Sequence, residues 1–186
     1  YYYEKSLNAA KQINDNSLVI SKNMKYEQIA FTEMRLGINY LEQTSVDGNL
    51  ELAEKYLLSA LEIYENEKYK IIPENKITMF NQVSWLYMEK KECQKSIDFA
   101  NRALALEKQF NSPYNRVESF EFLATCYLEL GQNENSKSYM EKYSLLKDSL
   151  NYVDKNNADV TMKKMVSAID NTYKESTQKS YIIIGI

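Results

Sequence analysis

Glu118 and Glu121 in "VESFEFLA" stand three residues apart, as do Glu51 and Glu54 in "NLELAEKY". On a helix this spacing brings both carboxylates of a pair to one face, which is what a general acid and a general base would need. Such a couple also needs surroundings that drive the two pKa values apart, and nothing near either pair in sequence supplies them. Both pairs read as solvated surface or as the rim of a binding surface. The chain has no histidine, which removes the commonest general base and the commonest metal ligand. Serine and cysteine therefore lack the usual activating partner. The single glycine of "LGINY" makes no phosphate loop, which requires several glycines followed by Lys-Ser or Lys-Thr. Cys93 and Cys126 are too few for a zinc site. They read as packed or partly exposed thiols, and a disulfide between them is the lesser reading, tied to an oxidising compartment. The expectation is a protein with no catalytic residues, no metal and no cofactor.

A net charge of -3 leaves no basic footprint, so this segment is not expected to bind nucleic acid. Recognition of another chain remains, and it depends on the elements that hold the side chains.

Those elements are helical. In a chain of 186 residues there are only four Gly and two Pro, too few for the turns of a sandwich or barrel. Apolar residues recur every three or four positions almost throughout. Pro73 and Pro113 fall where helices would start, with Ser112 as an N-cap, and Gly48 and Gly131 mark tight turns. The reading is all-α, with seven or eight helices and no strand.

The helices repeat. Phe120, Leu123, Ala124, Tyr127, Gly131, Ser136, Met140 and Tyr143 set out an order of large, small and turn residues. Phe80, Val83, Ser84, Tyr87, Lys91, Ser96, Ala100 and Ala103 repeat it, with Tyr87 and Tyr127 40 positions apart. A further copy runs through Leu36, Gly37, Tyr40, Gly48, Ala53, Leu57 and Ala60, with four extra residues in its turn around "TSVDG". Ser6, Ala10 and Ile13 suit the second helix of a partial copy.

This pattern resembles the tetratricopeptide repeat (TPR) over about residues 30–143. No copy has the leading Trp, Lys91 stands at a turn glycine, and the closing Pro is missing. The separation exceeds the usual repeat of about 34 residues, which implies longer helices. A plain helical bundle is the alternative. The resemblance implies a right-handed superhelical array of antiparallel helix pairs over 1–155, with a partial repeat at 1–22 and repeats at about 30–68, 77–110 and 117–150. A long C-terminal capping or juxtamembrane helix over 156–180 would follow.

In proteins of this kind the first helix of each repeat lines a groove that holds a peptide or protein segment. By register, the groove residues are Phe31, Met34, Ile38 and Leu41; Thr78, Asn81, Trp85 and Met88; and Glu118, Glu121, Thr125 and Leu128. Met34, Ile38, Trp85 and Met88 would make an apolar floor, with Asn81 and Glu121 as polar handles and Thr78 and Thr125 beside them. Trp85 has a second reading, packing against a neighbouring helix.

Met162, Val166, Ile169 and Tyr173 form a narrow apolar stripe that can cap the last repeat or serve as the seam of a homodimer. "SYIIIGI" at 180–186 reads as the first turns of a transmembrane helix beginning near Tyr181, or else as a segment docked on the array. An array followed by a long helix and a membrane helix is similar to the sensor portion of membrane-anchored TPR regulators of Bacteroidetes. That likeness implies an extracytoplasmic, periplasmic array coupled to a DNA-binding or histidine-kinase output module elsewhere in the protein. A cytoplasmic TPR adaptor or peptide-responsive regulator is the alternative.

Overall fold

The structure, a computed structural model, describes the backbone of residues 2–184 and the side-chain surroundings of residues 2–165 and 167. The described residues form seven α-helices and no strand. They are α1 (Tyr2–Gln12), α2 (Lys22–Leu41), α3 (Asn49–Glu65), α4 (Pro73–Glu89), α5 (Cys93–Phe110), α6 (Pro113–Glu129) and α7 (Asn133–Ile184).

Local chemistry sets several of the boundaries. Ser21 sits in extended backbone, and its hydroxyl accepts the Met24 N–H at 3.2 Å, capping α2. Pro73 and Pro113 occupy the first turns of α4 and α6, where the missing N–H costs nothing. Ser112 precedes α6 as expected, but no backbone N–H bonds its side chain. Its hydroxyl instead accepts from Asn115 Nδ2 at 2.7 Å. Gly48, at φ 84°, admits the left-handed turn into α3.

Neighbouring helices pack in sequence, α1 on α2, α2 on α3, α3 on α4, α4 on α5 and α5 on α6. In addition, α4 packs on α6 and, more lightly, on α2. The main core, around Leu57, Ile77, Met79, Val83 and Leu86, joins α2 to α5. A second cluster, with Ile97, Phe122 and Leu123, joins α5 to α6. A third joins Leu7 and Ala10 to Ile29 and Leu36.

The interactions recur in register. Tyr87 stacks on Phe99 with ring centroids 5.8 Å apart, and Tyr127 stacks on Tyr139 at 5.7 Å. Phe80 meets Phe99 at a tilt of 51°, and Phe120 meets Tyr139 at 45°. Tyr40 and Tyr56 make the corresponding stack at 5.8 Å across the longer turn. Small residues let the paired helices approach. The Ser84 hydroxyl bonds the Ser96 carbonyl at 2.8 Å, and the Ser136 hydroxyl bonds the Ala124 carbonyl at 2.8 Å. At Gly37 a Cβ would stand 2.5 Å from Leu57 Cγ, so only glycine fits this crossing without displacement.

Helix packing divides the chain into residues 1–144 and residues 145–186. The sequence from Asn133 to Ile184 contains neither Gly nor Pro, and α7 runs through it for 52 residues. The second helix expected for the last repeat and the helix expected over 156–180 are therefore one element. Within the second unit Tyr152, Val160, Met162 and Met165 are exposed. The side chains of Val166, Ile169, Tyr173 and Tyr181 lie outside the described residues, as do Gly185 and Ile186 altogether. Among the described residues no helix is long and apolar enough to cross a membrane.

Candidate binding cavity between helices α2, α4 and α6

A cavity of about 750 Å³ opens among α2, α4 and α6, within the range of small-molecule sites. Helix α2 supplies a continuous stripe through Met24, Glu27, Gln28, Phe31, Met34, Arg35, Ile38 and Glu42. Its steps of three and four residues follow one face of the helix. Asn75, Thr78, Gln82 and Trp85 repeat that stripe on α4, while Glu118 comes from α6 and Tyr64 from α3.

Met34, Ile38, Thr78 and Trp85, expected by register to face a groove, line this one cavity together with Phe31 and Glu118. Phe31 is exposed, whereas Met34 also belongs to the main core. Trp85 lines the cavity and also packs against both adjoining core clusters, and it donates its indole N–H to Glu89 Oε1 at 3.1 Å.

The other expected residues are placed differently. Asn81 is fully buried, and its side chain joins α4 to α6. Its Nδ2 donates to the Asn115 carbonyl at 2.7 Å, and its Oδ1 accepts from Ser119 Oγ at 2.6 Å. A buried amide must satisfy its own donors and acceptors, and Asn81 does so within the fold, so it is no handle for a ligand. Met88 packs into the second core cluster. Leu41 is buried in the main core. Glu121, half-buried Thr125 and Leu128, which is exposed, lie off the cavity wall.

Register from residue 30 missed Met24, Glu27 and Gln28, because α2 begins at Lys22 and adds two turns to the wall. The three-and-four spacing back from Phe31 carries that signal. Gln82 was missed for another reason. It sits beside packing residue Val83, and only the packed helices show which way it is turned. Gln82 is 7% exposed, and its Oε1 is the one buried side-chain oxygen or nitrogen without a hydrogen-bond partner among the described residues.

The wall is acidic, with Glu27, Glu42 and Glu118 against Arg35. Arg35 Nε donates to Tyr3 Oη at 3.3 Å, and its guanidinium lies 5.8 Å from the Tyr3 ring centre. Glu27 accepts from Asn75 Nδ2 at 3.1 Å. Burial holds the Glu118 carboxyl above its ordinary 4.5, against the lowering effect of Asn81, with the Glu121 charge adding to the rise. Burial also pushes the Tyr64 hydroxyl up to about 12, helped by the charge of Glu27, so Tyr64 stays neutral.

A second cavity of about 600 Å³ includes Leu104, Arg116, Phe120 and Lys142. Its most buried charge, Glu107, is already bridged by Arg116. Cys93 and Cys126 are free, buried thiols in the same core cluster. No three or more Cys, Asp or Glu among the described residues gather as metal ligands would. Comparison with protein-family models, with curated proteins and with solved structures finds no match to this chain.

Proposed function

We propose that residues 1–144 form a TPR-like array whose α2–α4–α6 cavity binds a protein or peptide segment without catalysing a reaction. The observation that carries this reading is the convergence of Met34, Ile38, Thr78 and Trp85 on one cavity. The recurrence of the Tyr87–Phe99 stack as Tyr127–Tyr139 supports the repeat architecture behind it. Stacked helix pairs leave such walls preformed, so little ordering entropy is lost when an extended or helical segment enters. Methionine and tryptophan suit a surface that must adapt to a side chain it does not make itself.

We further propose that the array is the sensor portion of a membrane-anchored signalling or transcriptional regulator. Helix α7 is covalently continuous from Asn133 into the apolar residues at its end, which supports a helical route from array to membrane.

The test is photocrosslinking of the whole chain, carrying a photoreactive phenylalanine at Phe31, with an unselected peptide library. Captured peptides should quench or shift Trp85 fluorescence, and the crosslinks should map to α2, α4 or α6. No captured peptide, or capture that leaves Trp85 silent, would overturn the binding assignment.

A further inference from the structure

The cavity's chemistry narrows what can occupy it, given the peptide-binding reading above. We infer that its occupant is a segment carrying a lysine or arginine flanked by apolar side chains, with the cation held by the Glu118 side of the wall and by the Gln82 carbonyl. Two independent observations meet here. The first is charge, since three carboxylates share the wall with one arginine, and that arginine is engaged by Tyr3. A partner of opposite sign is steered to such a wall and fixed in register by it. The second is the Gln82 acceptor. A buried carbonyl without a donor is rare in a folded protein, and Gln82 lines this same cavity. The terminal torsion of a glutamine is broad and roughly two-fold, so turning the amide over brings the buried Oε1 to the place of its nitrogen, where an incoming N–H can meet it.

The rest of the wall fits the flanks of such a segment. Phe31, Met34 and Ile38 follow one another along α2 and offer an apolar track. Trp85 adds an indole, the aromatic ring that best attracts a cation on its face. A carboxylate-bearing segment would meet like charge here and leave the Gln82 acceptor unpaired. A wholly apolar one would leave Glu118 with no counter-charge in a place where burial already disfavours its ionised form.

The experiment titrates the whole chain, followed by Trp85 fluorescence, with four pools of short synthetic peptides. Their flanks are randomised over Leu, Ile, Met and Phe, and a single central position is fixed as Arg, Lys, Gln or Glu. The Arg and Lys pools should bind about tenfold more tightly than the Gln pool, and the Glu pool more weakly again. In Glu118→Gln the advantage of Arg over Gln should shrink severalfold, while Glu51→Gln, off the wall, keeps it. Circular dichroism of both variants establishes that they are folded. Equal binding of all four pools would overturn the preference for a cation and leave the groove assignment standing. So would an Arg advantage that survives in Glu118→Gln combined with Glu27→Gln. Failure of every pool to bind would overturn the groove assignment itself.

Discussion

Lys91 and Gly131, 40 positions apart, both adopt left-handed backbone, at φ 62° and 71°. Each closes the helix before it with the same two bonds. Lys91 N–H reaches the Met88 carbonyl and Glu92 N–H reaches Tyr87, while Gly131 N–H reaches Leu128 and Gln132 N–H reaches Tyr127. This is the Schellman closure of a helix end, which asks for a left-handed residue and prefers glycine. A lysine holds the position in the earlier copy, and its ammonium lies 2.9 Å from Glu129 of α6.

The two turns should respond in opposite directions. Gly131→Ala forces a Cβ into left-handed backbone and should cost about 1 kcal/mol. Lys91→Gly relieves the same strain and should gain up to about 1 kcal/mol, less the small worth of an exposed ion pair. Urea unfolding of both variants measures the difference, and a loss at Lys91→Gly as large as at Gly131→Ala would deny their equivalence.

Gly37 works by absence of a side chain. Leu57 is fully buried, and its Cγ and Cδ2 would lie 2.5 and 2.8 Å from an added Cβ. Although alanine favours a helix by about 1 kcal/mol, overpacking here should outweigh it and leave Gly37→Ala destabilised by about 1–2 kcal/mol. Leu57→Ala should partly rescue Gly37→Ala, which a double-mutant cycle in urea would reveal.

Gln82 keeps its buried Oε1 without a hydrogen-bond partner. Replacing it with methionine, of similar volume, removes an unsatisfied buried acceptor and should stabilise the free chain by about 1–2 kcal/mol. The same variant should bind the Arg-centred peptide pool more weakly. Thermal denaturation and Trp85 titration on one preparation would separate the two effects.

Glu118 gives a pH signature. Its folded pKa is raised by burial, so the folded state binds the proton more tightly than the unfolded one, and this group stabilises at low pH. That contribution declines as pH rises through the ordinary value of 4.5 and is gone above the folded value. Glu118→Gln should therefore match the parent in acid and become the more stable of the two as pH rises toward neutrality. Denaturation midpoints across that range would show whether the curves separate in this direction.

Cys93 should be slow to react. Burial, then a hydrogen bond to Glu129 and the neighbouring Cys126, push its thiol up to about 12. At neutral pH almost no thiolate is present. Alkylation by iodoacetamide should be far slower in the folded chain than in urea, and should quicken in Glu129→Gln, whose side chain no longer repels the thiolate.

The residues alone determined that the described chain is all-α and where several of its helices begin or end. Pro73, Pro113, Gly48 and Gly131 act within one turn of backbone, so their effect is local and visible without the fold. The 40-residue recurrence was equally legible, because the Tyr, Ser and Ala types follow from how closely two helices approach. So was much of one cavity wall, since Met34, Ile38, Thr78 and Trp85 share a helix face by spacing.

Tertiary structure decided the rest. Periodicity tells which face a residue occupies and not what stands opposite it. Asn81 looked like a handle until Asn115 and Ser119 closed on it, and Met88 looked like part of the apolar floor until Phe122 and Leu123 formed a core around α6. Gln82 carries the reverse lesson. A glutamine beside a packing residue is unremarkable in sequence, and its unpaired carbonyl exists only because α4 is set between α2 and α6. Burial and hydrogen-bond satisfaction are sums over several helices, so they come into being only when those helices are packed.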